Sequence, residues 1–170
     1  MSLVQPGIAA YRVPVYRELA RRSGLRLKVF YSKSAFVPTA TPDGFDAEIV
    51  PIPQVMVCGH LFRWQGAQVV QATRRICDVL ILSWDAHYFS LIPALIRARL
   101  NGVGTIVWGH GCSKRDNRGA RKVREAIGSL ATVLLFYNCR ARDAFKERHP
   151  KQCARLFVAL NAIDHGPVKR

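Results

Sequence analysis

Short apolar runs of β type alternate with helical segments along nearly the whole chain, and this alternation limits the fold more than any single motif. Leu3-Val4-Gln5 is a stub of strand broken by Pro6-Gly7. Pro14 opens a helix with Tyr16, Leu19 and Ala20 on one face, since proline is tolerated in a first turn. Gly24 stands where that helix ends. Leu25 to Tyr31 is a strand with Leu25, Leu27, Val29 and Tyr31 on one side. Ser32 to Ala47, with Pro38, Pro42 and Gly44, reads as a long loop before a short strand, Glu48 to Ile52, weakened by Pro51 and stopped by Pro53. The second half is more regular. A helix over Leu61 to Arg75 precedes strand Val79 to Ser83, and a helix over Tyr88 to Leu100, closed by Asn101-Gly102, precedes strand Thr105 to Trp108. Helix Arg118 to Leu130, strand Thr132 to Tyr137, helix Arg140 to Arg148 and a last strand, Leu156 to Leu160, complete the pattern. Such alternation implies βαβ units and a parallel sheet. The fold class is α/β, a single doubly wound domain.

Composition narrows the partners. The 170 residues are 49% hydrophobic and 22% charged, which excludes collagen-like, low-complexity and wholly disordered chains. A chain of this length buries roughly 70% of its unfolded surface, enough for one good core but cramped for two full-size domains. Against 11 Asp and Glu stand 26 Lys and Arg, a net charge of +15, so the expected partner is anionic: nucleic acid, a lipid surface or a phosphorylated substrate. Five scattered cysteines without a leader segment point to reduced thiols and a cytoplasmic protein. The longest apolar runs, Val79 to Trp84 and Leu130 to Tyr137, fall well short of the roughly 20 residues of a membrane span. A basic face can still lie peripherally on the inner side of a membrane.

In open parallel sheets ligands bind beyond the carboxyl ends of the strands, so the residues following each strand carry the information. They are Pro6-Gly7 through Tyr11-Arg12, Trp84-Asp85-Ala86-His87, Gly109-His110-Gly111-Cys112 and Asn138-Cys139-Arg140. Cys58-Gly59-His60 and His110-Gly111-Cys112 are mirrored pairs, but a one-residue gap is unfavourable for zinc, and no metal is expected. Neither Gly102-x-Gly104 nor Gly109-x-Gly111 completes a dinucleotide fingerprint, and no phosphate loop, catalytic triad or CxxC pattern emerges.

Four stretches carry a family likeness: Tyr11-Arg12-Val13-Pro14-Val15-Tyr16-Arg17-Glu18-Leu19-Ala20, Asp78 to Leu82 with the following helix ending at Ala98 to Gly102, Val107-Trp108-Gly109-His110-Gly111, and Phe157 to Asp164. In this order and spacing the chain resembles the amino-terminal domain of GT-B glycosyltransferases of the retaining family 4. It departs from them in a short first strand, Met1 to Gln5, and in Leu160-Asn161-Ala162, which lacks the usual Pro and Gly. It also reaches Arg170 before the family's second Rossmann-like domain, with its nucleotide-sugar site and acidic E-x7-E motif. The resemblance implies a Rossmann-like acceptor-binding domain over residues 1–164 and the start of a linker over 165–170, with the donor-binding half supplied elsewhere. The implied reaction moves a sugar from a nucleotide-sugar co-substrate to a hydroxyl of a glycan or lipid-linked acceptor, with retention and no further cofactor.

The same resemblance makes His110 the active-site histidine, positioning the acceptor or stabilising charge at the leaving group. It puts Gly7, Tyr11, Arg12, Trp84, Asp85, His87, Gly109 and Gly111 around acceptor and phosphate. Arg12 either forks onto a phosphate or sits on a solvated helix start. Asp85 either orients an acceptor hydroxyl or caps a helix, and capping is the better-supported role. Lys114, Arg115, Arg118, Arg121, Lys122 and Arg124 are either an anionic-surface contact or a solvated basic face. The alternative function is a non-catalytic basic α/β module binding nucleic acid or an anionic membrane. The absence of any recognised nucleic-acid-binding module in the sequence disfavours the first of these partners.

Overall fold

A four-residue strand, β1 (Ser2–Gln5), lies at the centre of the sheet and is buried along its whole length. The computed structural model describes residues 1–33, 39–57, 60–111 and 118–160. From β1 the chain passes through a 3-10 turn (Ala10–Arg12) into α1 (Val13–Arg21), with proline in its first turn. β2 (Lys28–Tyr31), β3 (Asp46–Ile49), a hairpin of β4 (Gln54–Val57) and β5 (His60–Arg63), and the short α2 (Gly66–Val70) follow. Then come β6 (Val79–Ser83), α3 (Leu91–Leu100), β7 (Gly104–Gly109), α4 (Arg118–Leu130), β8 (Val133–Phe136), α5 (Cys139–Arg148) and β9 (Leu156–Val158).

Seven strands form one sheet in the order β3-β2-β1-β6-β7-β8-β9, with every pairing parallel. Strand order reverses between β1 and β6, which makes the carboxyl edge there the place for a ligand. The short β1 suffices because it is paired on both sides and both faces are covered. Leu3 and Val4 are fully buried on opposite faces, and burial of each such side chain contributes about 1.5–3 kcal/mol. One face packs Val4, Leu80, Leu82, Val107, Leu134 and Phe136 under α3 and α4. The other packs Leu3, Val29, Tyr31, Ile81 and Trp108 with Tyr16 of α1. Leu25, Leu27, Val29 and Tyr31 share that second side, as their spacing requires. No helix among the described residues is long and apolar enough to cross a membrane.

Several boundaries differ from the sequence expectation. β2 starts at Lys28 rather than Leu25, and β3 ends at Ile49, before Pro51, whose missing N–H cannot feed a ladder. β7, β8 and β9 are displaced by one or two residues at their ends, and α3 begins at Leu91 rather than Tyr88. The helix expected over Leu61 to Arg75 shrinks to α2, and its first residues instead form β5, antiparallel to β4. Residues 34–38 of the long loop lie outside the described residues, as do 161–170, which include the end of the expected domain and the linker.

Candidate functional site

Arg12, at the entry to α1, is buried to 7% exposure beyond the carboxyl end of β1. Its Nη1 donates to Gln5 Oε1 at 2.7 Å and its Nη2 to the Tyr137 hydroxyl at 2.5 Å. The guanidinium carbon lies 4.5 Å from the Trp108 ring centroid, 5.2 Å from that of Tyr137 and 5.7 Å from that of Tyr11. Among the described residues no carboxylate pairs with it, so aromatic faces and neutral oxygens offset the cost of burying the charge. The Tyr16 hydroxyl faces the same cation without a well-formed hydrogen bond, and burial pushes its pKa up to about 12. Burial likewise raises Tyr137, which stays a neutral phenol. Arg12 is thus not on a solvated helix start, and its Nε–H is buried without a partner among the described residues. Both terminal nitrogens already have protein acceptors.

His110 follows β7 and is exposed. Its ring stands edge-on to Tyr137, centroids 4.5 Å apart, so Tyr137 joins Arg12 to His110. Partial burial, and after it the Arg12 charge, lowers the imidazole pKa from its ordinary value. The ring is therefore neutral at pH 7, with one N–H donor and one acceptor nitrogen. Because the folded pKa lies below the unfolded one, the neutral ring's contribution to stability is complete above about pH 6.5 and shrinks as pH falls through that value. An NMR titration of the His110 ring is expected to give a midpoint below 6.5. A midpoint at or above that value would contradict the partial burial of the ring and its proximity to the Arg12 charge.

The glycines beside His110 are required by the packing of the core. A Cβ on Gly109 would lie 2.7 Å from Trp84 Cβ, and one on Gly111 would lie 2.5 Å from Phe136 Cε1. Gly111 also has φ +65°, a left-handed conformation costly for other residues. Gly111→Ala is expected to cost about 2 kcal/mol in urea unfolding, combining overpacking with backbone strain. Trp84, expected on the rim, is a core residue at 5% exposure. It packs edge-on to Phe136 and Phe145, donates Nε1–H to Arg124 O at 3.2 Å, and leaves room only for glycine at 128. Leu80, Leu82 and Trp84 share one face at period two, which carries the indole inward.

Asp85 Oδ1 accepts from His87 N at 2.9 Å and lies 2.8 Å from His87 Nδ1. It caps the turn after β6, whereas the cap position of α3 belongs to Ser90. Gly7 is buried in the turn after β1, and Tyr11, 38% exposed, lies against the Arg12 guanidinium. Of the basic cluster, Arg118 and Lys122 are exposed on α4 and Arg121 and Arg124 are half-buried. Lys114, Arg115 and Cys112 lie outside the described residues, as do Cys58 and Gly59. Among the described residues no cluster of His, Cys, Asp and Glu could hold a metal. Among the described residues, two of the clefts bear on the placement of the site. One, of about 380 Å³, lies at the amino ends of β7 and β8 between Arg99 and Arg155. The other, of about 360 Å³, lies at the carboxyl ends of β2 and β3.

No protein-family model matches the chain, and no curated protein matches it. Among solved structures it is similar to the UDP-GlcNAc 2-epimerase from Methanocaldococcus jannaschii, with a TM-score of 0.53 and 11% identity. The alignment covers 93% of this chain and 45% of the epimerase chain. The fold is a GT-B-like Rossmann domain. The chain spans less than half the length of that enzyme, and at this identity the likeness is one of fold.

Sequence reasoning missed the partners that make the site a unit. Gln5, Trp108 and Tyr137 read as strand residues, yet all three contact the Arg12 guanidinium. It also missed a buried amide network on the hairpin side. Gln65 Nε2 donates to Gln5 O at 2.9 Å and to Ser32 Oγ at 3.2 Å, and Gln65 Oε1 accepts from Gln68. The available signal was Gln65, Gln68 and Gln71 at three-residue spacing, a polar stripe where a helix should bury apolar residues.

Proposed function

We propose that this chain is the acceptor-side domain of a GT-B glycosyltransferase of the family 4 type. It would transfer a sugar from a nucleotide-sugar to a hydroxyl on a glycan or lipid-linked acceptor. The observation that carries this reading is the Arg12–Tyr137–His110 unit at the carboxyl edge, beside the reversal of strand order. In this reading Arg12 is a positioning residue: it fixes the Tyr137 hydroxyl, and Tyr137 holds the His110 ring. His110, neutral at working pH, hydrogen-bonds a sugar or acceptor hydroxyl and aligns it for reaction. That choice favours positioning over a cationic role at the leaving group. A donor-binding domain belongs to the proposal, whether in further sequence or in a separate polypeptide. The exposed basic side chains of α4, Arg118 and Lys122, support attraction of anionic head groups, each worth about 1 kcal/mol near such a surface.

The test is incubation of the full-length protein with uridine- and guanosine-diphosphate sugars and candidate acceptors, followed by mass spectrometry and NMR of the products. The expected product is an acceptor bearing one added sugar with the donor's anomeric configuration. A nucleotide-sugar isomerised at the sugar ring, with no acceptor product, would instead favour an epimerase. The likeness to the archaeal 2-epimerase is what recommends that second reading.

A further inference from the structure

The β4–β5 hairpin stands apart from the main sheet and pairs only with itself among the described strands. Both faces of β4 are open, with Val55 at 52% and Met56 at 64% exposure, and Ile49 and Trp64 beside it are 51% and 44% exposed. From Val50 to Gln65 the sequence has no carboxylate. A solvated hairpin would carry charged side chains on its open edges, and an apolar patch of this kind marks an interaction site.

Beneath the hairpin lies the cleft of about 360 Å³, within the usual size of ligand pockets, about 300–1,000 Å³. Ile49, Pro51 and Ile52 give it apolar walls, Ser32 a hydroxyl, and Lys33 and Arg63 two cations, with no acidic residue in the lining among the described residues. Lys33 is exposed and has no ion pair among the described residues. Arg63 is held in place, its guanidinium 5.8 Å from the Tyr88 ring and its backbone bonded to residues 87 and 89. Phe62 stacks on Phe89 at 4.1 Å. These contacts tie the hairpin to the turn that bears Asp85 and His87. On the other side Ser32 accepts from Gln65, which also bonds the Gln5 backbone, while the Gln5 side chain accepts from Arg12. The cleft is therefore joined by direct hydrogen bonds to the Arg12 cage.

We propose that this cleft and the hairpin above it bind an amphiphile whose phosphate lies between Lys33 and Arg63 and whose apolar chain runs along Val55 and Met56. That this amphiphile is the sugar acceptor rests on the glycosyl-transfer reading. Two cations around a hydroxyl recognise the phosphate, and the uncharged hairpin accepts the chain.

Decyl phosphate below its critical micelle concentration is the probe, and Trp64, the exposed tryptophan beside the cleft, reports binding by fluorescence in the full chain. Decyl phosphate is expected to bind at least tenfold more tightly than either decanol or inorganic phosphate. Lys33→Gln with Arg63→Gln weakens it at least tenfold, whereas Arg75→Gln with Arg97→Gln, an equal loss of charge elsewhere, does not. Val55→Ser with Met56→Ser removes the preference for decyl over hexyl phosphate. Should the Arg63 change unfold the protein, Lys33→Gln alone still weakens binding at least threefold. Equal binding of decanol and decyl phosphate, or equal losses in the cleft and control variants, would overturn the proposal. The measurement uses no sugar donor, so selective binding without transfer counts against the transfer reading alone, and transfer without selective binding against the subsite alone.

Discussion

Replacing His110 with alanine is expected to lower kcat for sugar transfer by about 100-fold or more, with the melting temperature unchanged. The imidazole is exposed and stands edge-on to Tyr137, so its removal leaves no buried group unpaired among the described residues. A positioning hydrogen bond made in the transition state lowers kcat and kcat/KM together. His110→Gln, which keeps a donor and an acceptor on the side chain, should recover part of the loss. A variant that loses activity only in proportion to its loss of folded protein would make His110 a surface turn residue.

Arg12→Ala should act on the fold as well as on activity. Truncation strands Gln5 Oε1 and the Tyr137 hydroxyl, both bonded to the guanidinium, and removes the cation from the Trp108 face. Each stranded buried polar atom costs about 1–3 kcal/mol, and the lost stacking adds to this. Relief of burying an unneutralised cation opposes these losses, and a net destabilisation of about 3 kcal/mol remains, read in urea unfolding. The His110 pKa should rise toward its ordinary value in the same variant, because Arg12 is one of the two causes that lower it. Unchanged stability would mean that the cage is open to solvent.

The parts of this structure legible in the sequence are those whose period had no competitor. β6 is bounded by Asp78 and the Trp84 turn, and α4 runs from Arg118 to Leu130 with one polar face, and both stand where the pattern puts them. The hairpin was not legible because Leu61, Phe62, Val69 and Val70 also fit a helical face. The competing signal was only a two-residue spacer with one glycine, Cys58-Gly59. The sequence expectation puts Trp84 on the rim because Asp85 breaks the apolar run, whereas period two continues from Leu80 and Leu82 through Trp84 into the core. The Arg12 cage depends on Tyr137, 125 positions away, and only the assembled sheet brings the two together. Residue types at strand ends indicated where a ligand should bind. They did not reveal that Arg12 is buried and bonded within the protein.

The claim that function resides at the carboxyl edge is tested most directly by backbone-amide NMR mapping of ligand binding on the full-length protein. Nucleotide-sugar and decyl phosphate are added in turn, and the perturbed residues are placed on the sheet. The account predicts shifts around Gly7, Tyr11, Arg12, His110 and Tyr137, with the amphiphile also perturbing Ser32, Lys33 and Arg63. Shifts confined to Arg99, Gly102, Thr105 and Arg155, around the larger cleft at the opposite edge, would contradict it.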